Sequence, residues 1–214
     1  MKSYEYGDSK ANNVLIQMVD EHSLPHMERE LAAIKEHTAE PFRLIAVKVD
    51  DWNRDLSPWA APPVFGKEAF GGCAEQTLRE VLALAADRSK TYILGGYSLA
   101  GLFALWAAYQ TDAFAGVAAA SPSVWFPGFL DDMKANELRS PIVYLSLGDK
   151  EEKTRNPTMA TVGKRIREAE RLLRGQGADC TLEWNPGNHF RDADLRTAKA
   201  FAWVMERRGC QRVQ

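Results

Sequence analysis

Several things are scarce in this sequence, and each scarcity excludes a class of protein. Only three cysteines occur in 214 residues, Cys73, Cys180 and Cys210. The number is odd and the spacing fits neither a zinc site nor a disulfide framework, so they read as small buried or incidental thiols. No apolar run approaches the ~20 residues of a membrane span. The opening MKSYEYGDSKANN has no signal-peptide core, which makes a cytoplasmic location without a membrane partner the expectation. Excess charge is missing too: 27 Lys and Arg face 29 Asp and Glu, for a net charge of −2. That balance leaves no footprint for nucleic acid. Internal repeats, linkers and low-complexity tracts are also absent. A chain that is 45% apolar and 10% aromatic at this length can bury one full core, so residues 1–214 read as a single domain.

What is present centres on Thr91 to Tyr109, TYILGGYSLAGLFALWAAY. A short apolar strand runs into Gly95-Gly96-Tyr97-Ser98-Leu99-Ala100-Gly101 and opens into a helix rich in Ala, Leu and aromatics. Strand, sharp turn with a central serine, then helix is the arrangement of a nucleophile elbow. A serine at so tight a tip takes a strained backbone with positive φ, and strand and helix almost touch around it. The positions two before and two after it must therefore be small, and they are Gly96 and Ala100. The helix start also aims free N–H groups at the place where an oxyanion would form. The same letters fit a loose dinucleotide fingerprint, Gly96-x-Ser98-x-x-Gly101. That reading needs an acid about 20 residues on, where Ala118-Ala119-Ala120-Ser121-Pro122 stands instead, and it fails there.

Around this centre, continuous apolar strands are predicted at Asn13–Val19, Arg43–Val49, Tyr92–Leu94, Phe114–Ala120, Ile142–Leu147 and Cys180–Trp184. Between them lie helical patterns at 25–37, 75–87, 131–138, about 158–174 and 193–207. Such alternation means a three-layer α/β fold whose mostly parallel six-stranded sheet is covered on both faces. The irregular stretch 50–72 is longer than an ordinary connector, and such loops often carry function.

Triad order in this architecture is Ser, acid, His, each at the C-terminal end of a strand. Only His189 lies beyond Ser98, in a Gly-Asn-His turn after the sixth predicted strand, and it is the candidate base. His22, His26 and His37 read as loop and helix-face residues. After the fifth predicted strand the chain reads Gly148-Asp149-Lys150-Glu151-Glu152. Hydrolases commonly place the acid three residues after the glycine, which points to Glu151, with Asp149 as runner-up and Glu152 behind it.

The runs FGGCAEQTLREVL, GGYSLAGLFALWAAYQTDAFAGVAAASPSVWF, LSLGDKE and GNHF together resemble an esterase branch of the α/β-hydrolases, the one with enterochelin-type siderophore esterases and the esterase D group. NRDLSPW at Asn53 to Trp59 resembles a segment those enzymes carry near the site. The resemblance runs from about Val14 onward. It implies an α/β-hydrolase fold, ester hydrolysis without metal or other cofactor, and Ser98, Glu151 and His189 as the triad. The chain departs from the family in its Ala100-Gly101 elbow ending and in Asp20-Glu21-His22, which lacks the glycine often found in the oxyanion loop. It also begins at what would be the third family strand, a minimal core without a cap domain.

The expected chemistry follows. Ser98 attacks the carbonyl of a small-molecule ester, His189 takes its proton, and Glu151 orients the imidazole. Backbone N–H groups of Leu99 and of Glu21 (or His22) receive the oxyanion. Tyr97, Trp52, Trp125 and Phe126 are substrate-side candidates, and Arg54 and Arg155 read as partners of neighbouring carboxylates. Two other readings share these residues: a silent α/β-hydrolase-fold binding module, and an acyltransferase that uses the same acyl-enzyme. The ester, and the oligomeric state, are not written in the sequence.

Overall fold

A computed structural model describes residues 1–211, with side chains described through residue 209, so the Cys210 thiol lies outside the described residues. In chain order the elements are β1 (Lys2–Gly7), β2 (Asn13–Val19), a 3-10 turn, α1 (Met27–His37), β3 (Phe42–Lys48), α2 (Trp52–Asp55), β4 (Ala60–Ala61), β5 (Phe70–Gly71) and α3 (Ala74–Leu84). They continue with β6 (Thr91–Tyr97), α4 (Leu99–Gln110), β7 (Gly116–Ala120), α5 (Phe129–Ala135), β8 (Ile142–Gly148), a second 3-10 turn, α6 (Val162–Gly175), β9 (Asp179–Asn185) and α7 (Ala193–Gln211).

Among the described residues the main sheet has seven strands, in the order β1-β3-β2-β6-β7-β8-β9. Six run parallel, and β1 pairs antiparallel with β3 at the edge. All six predicted strands are present; the seventh, β1, corrects the strand count. Its sequence KSYEYG alternates, with Tyr4 and Tyr6 half-buried and the other residues exposed. That is the signature of an edge strand with one covered face, not of the continuous apolar runs that mark its neighbours. The irregular stretch after β3 holds α2 and the small β4–β5 ladder. No cap is inserted after β7, where a buried turn leads straight into α5.

Strand residues alternate between two apolar layers, as a period of two requires. Val14, Ile16 and Met18 of β2 face the layer built with α3, α4, α5 and α6. Leu15 and Val19 face the layer built with α1 and α7. In α4 every residue from Leu99 to Tyr109 is buried, so the helix has no polar stripe. Among the described residues no helix is long and apolar enough to cross a membrane.

Both glycines of β6 mark close approaches. A methyl on Gly95 would lie 2.6 Å from the Phe201 ring of α7, and one on Gly96 would lie 2.6 Å from the Ala100 Cβ of α4. The two helix layers thus press on the central strand from opposite sides at adjacent residues. Gly95→Val should therefore cost about 1–3 kcal/mol through overpacking. Urea denaturation should show a lower midpoint at unchanged slope; an unchanged midpoint would mean that the Phe201 contact is loose.

Candidate active site

The elbow is built as its sequence requires. Ser98 caps α4 with φ 59° and ψ −119°, a backbone that L-residues rarely adopt. The strain is held by the Ser98 N–H donating to the Ala120 carbonyl (3.1 Å) and by the Ser98 carbonyl accepting from the Leu102 and Ser123 N–H groups. The hydroxyl is thereby lifted above the C-terminal edge of the sheet.

His189 reaches it from the turn between β9 and α7. Its Nε2 is 2.9 Å from Ser98 Oγ, and its Nδ1 is 2.7 Å from Glu151 Oε2. An ionised carboxylate only accepts hydrogen bonds, so Nδ1 carries the proton and Nε2 is left as the acceptor for the serine hydroxyl. Ser98 Oγ also lies 3.4 Å from Ser123 Oγ.

Of the three carboxylates after β8, Glu151 is the one placed against the imidazole, and it is buried. Its other oxygen, Oε1, accepts from the Ser121 hydroxyl (2.8 Å), the Gly148 N–H (2.7 Å) and Arg196 Nη1 (3.0 Å). Burial pushes this carboxyl up, but the hydrogen bonds from His189, Ser121 and Gly148 outweigh it and hold the group below its ordinary value of 4.5. Asp149 serves the turn instead, its Oδ1 accepting the Gly187 N–H at 2.7 Å. Glu152 faces outward, 3.8 Å from Arg167.

Arg196 was not singled out in the sequence, yet it ties the whole edge together. It is 3% exposed. Nη1 donates to Glu151 and to the Tyr97 hydroxyl (3.0 Å), while Nη2 donates to the carbonyls of Pro186 and Asn188 (both 3.1 Å). Tyr97 in turn donates its hydroxyl to the His189 carbonyl at 2.8 Å. Burial pushes the Tyr97 phenol up to about 12, so it stays protonated and able to donate. A signal did exist: Arg196 lies four residues before Ala200 and eight before Val204, on the buried face of α7.

The remaining candidates fall as follows. Leu99 opens α4, and its N–H belongs to the first turn, where no intrahelical carbonyl is available. Glu21 lies in the exposed turn after β2, its carboxylate 3.5 Å from Lys48. Parallel pairing of β2 with β6 brings that turn to the elbow side of the sheet. Asp20 ties it internally, accepting from the Ser23 N–H and hydroxyl. Trp125 is buried against Phe65 and Phe70 and lines the small space behind His189 and Glu151. Phe126 is fully buried, and Trp52 packs its half-buried ring on the same layer. Arg54 is paired with Asp55 at 2.7 Å, and Arg155 is exposed. Cys180 is buried, which pushes its thiol up to about 12 and leaves it unreactive. Among the described residues no group of three or more His, Cys, Asp or Glu is arranged to hold a metal ion.

Comparison with solved structures places this fold. The chain superposes on the siderophore hydrolase EstA of Aspergillus nidulans with a TM-score of 0.65 at 19% identity, covering 94% of this chain and 85% of that one. An IroE-like serine hydrolase of Shewanella oneidensis gives a TM-score of 0.73 at 12% identity, over 95% and 75% of the two chains. The enterobactin esterase FES of Shigella flexneri gives 0.67 at 14%, over 96% of this chain and 55% of that one. No protein-family model matches the chain, and neither does any curated protein sequence. At these identities the likeness establishes the α/β-hydrolase fold.

Arg196→Met removes one partner of a buried ion pair and two donors to the His189 turn. It should destabilise the protein by about 3–5 kcal/mol. A denaturation midpoint within error of wild type would show that the turn holds itself. Glu151 also links stability to pH. Its folded value lies below 4.5, so its contribution is complete above the unfolded value and is lost as pH falls through the folded one. Acid unfolding should therefore be shallower in Glu151→Gln than in wild type.

Proposed function

We propose that this protein is a serine hydrolase that cleaves carboxylic esters through an acyl-enzyme, with residues 1–214 acting as one catalytic domain. The observation that carries the reading is the continuous line Ser98 Oγ–His189 Nε2 (2.9 Å) and His189 Nδ1–Glu151 Oε2 (2.7 Å). Ser98 attacks the acyl carbonyl as its proton passes to Nε2. Glu151 stabilises the imidazolium that forms. The N–H of Leu99, with a second from Glu21 or its neighbour in the turn after β2, binds the oxyanion. The imidazolium then protonates the leaving alcohol, and water deacylates the serine by the same proton transfers in reverse.

Tyr97 and Arg196 act here as positioning residues. They fasten the backbone of the histidine turn, so His189 meets Ser98 in one orientation rather than many. The resemblance to siderophore and enterochelin esterases, in sequence runs and in fold, supports an ester as substrate. A short, exposed rim with no inserted cap suits a compact or protruding ester better than a long lipid.

The glycine-free turn after β2 favours one rival, a fold that binds without catalysing. Reaction with a fluorophosphonate separates the two, because only an activated serine is labelled. Wild type should label at Ser98 and hydrolyse short p-nitrophenyl esters, with a siderophore-type ester tested beside them. Ser98→Ala and His189→Ala should each lose at least about a thousand-fold in kcat/KM. Full activity in Ser98→Ala would dispose of the mechanism. Product partitioning with added alcohol distinguishes hydrolysis from acyl transfer by the same intermediate.

A further inference from the structure

On the α1/α7 side of the sheet, beside the elbow, lies a cavity of about 230 Å³ that the mechanism above does not use. Gln17, near the end of β2, and Glu30, on α1, contribute to its lining, as do Tyr97, Phe190 and the first residues of α7. Gln17 is 4% and Glu30 3% exposed. They share a single hydrogen bond, from Gln17 Nε2 to Glu30 Oε2 at 3.2 Å. The other oxygen of each side chain, Gln17 Oε1 and Glu30 Oε1, is buried with no hydrogen-bond partner among the described residues. Buried polar atoms are nearly always paired; Gln17 Oε1 is an acceptor, and Glu30 Oε1 becomes a second one once the carboxyl ionises, so the two together can receive a group rich in donors.

The protein's own nearby hydroxyls do not supply it. Tyr97 donates to the His189 carbonyl, and Thr197 donates to the Ala193 carbonyl. Nor does the cation at the mouth. Arg29 is bound through Nη1 to both oxygens of Asp194 (3.2 and 2.9 Å), with Nη2 3.8 Å from Asp192. His26 is the other basic side chain in the lining. Among the described lining residues, Asp194 is held by Arg29 and Asp192 also accepts from Arg191 Nε (3.3 Å), which leaves Glu30 as the carboxyl with no cation beside it. Burial, with the Asp194 charge adding to it, pushes Glu30 up to about 8. At neutral pH the Glu30 carboxyl therefore keeps its proton and is uncharged. At the rim the Phe190 ring is 90% exposed, a free aromatic face of the kind that packs on alkyl chains and cations.

We propose that this cavity is a subsite for a primary ammonium group, received by Glu30 and Gln17, on a small molecule whose remainder extends past Phe190. Three N–H donors satisfy both orphan oxygens. The Glu30 carboxyl gives its proton to solvent as the cation enters, leaving a carboxylate paired with an intact ammonium. Tyr97 precedes Ser98, and Phe190 follows His189, so the amine is carried by the ester itself. That last assignment rests on the esterase reading; the binding does not.

Calorimetric titration of the whole protein at pH 7 with n-butylammonium and with 1-butanol, in two buffers of different ionisation enthalpy, tests the proposal. The amine should saturate and bind about ten-fold or more tightly than the alcohol, the increment of a charge-assisted hydrogen bond. Close to one proton should be released per site. Glu30→Gln should abolish that release and bring the two ligands to similar affinity. Gln17→Met should weaken the amine several-fold while proton release persists, a second reading should Glu30→Gln fold poorly. Absence of saturable amine binding, or equal binding and proton release in Glu30→Gln, overturns the proposal and leaves water as the occupant. Neither result changes fluorophosphonate labelling of Ser98, so failure here and failure of the esterase reading are separate observations.

Discussion

A carboxylate that has been taken out of water must be compensated on every side, and Glu151 shows how much structure one such group can organise. Its two oxygens draw partners from four places in the chain: the end of β8 at Gly148, the turn after β7 at Ser121, the turn after β9 at His189, and α7 at Arg196. Each bond is worth far more to a buried charge than to an exposed one, because an unpaired charge in a low-dielectric site is costly. The C-terminal edge of the sheet is therefore fixed by one requirement. Arg196 extends it, since the guanidinium that neutralises Glu151 also holds the carbonyls around His189.

The elbow is a second constraint, steric where the first is electrostatic. Strand β6 and helix α4 come close enough that a methyl on Gly96 would stand 2.6 Å from the Cβ of Ala100. The positive φ of Ser98 is tolerable only because the bonds on both sides of it are made within the buried sheet edge. The Ala100-Gly101 pair that follows Leu99 suits this geometry. Ala100 is small enough for the contact, and it is Gly101 that sits against the Gly96 and Ala120 carbonyls.

Much of this was legible in the sequence because the features are local. An apolar strand, a run of small residues around a serine and a lone downstream histidine each show in a window of a few letters. What the sequence concealed is relational. Strand β1 carries an alternating pattern too short to stand out, and only its pairing with β3 makes it a strand. Arg196 looks like one more charge near the start of an amphipathic helix; its role appears only when α7 is laid against the ends of β6 and β8. Asp149 and Glu151 are two letters apart and chemically alike, and the turn geometry sends one to the Gly187 N–H and the other to the imidazole. Trp125 is buried against Phe65 and Phe70 while lining the same small space as His189 and Glu151, a placement no local window of sequence displays.

Two buried glutamates on this one scaffold also show why burial alone does not decide chemistry. Glu151 and Glu30 are both less than a tenth exposed, yet their carboxyl groups move in opposite directions. Around Glu151 the fold gathers an arginine, a hydroxyl, a backbone N–H and an imidazole, so ionisation is favoured and the group can balance a cation on its neighbour. Around Glu30 it offers one amide N–H and, nearby, the charge of Asp194, so the proton stays. The first environment is complete without any ligand. The second is not, because a protonated acid and an unpaired amide oxygen beside an open cavity are a poor end state for groups that could each be fully bonded. The contrast separates a carboxylate whose charge the protein's own residues balance from a carboxyl that keeps its proton.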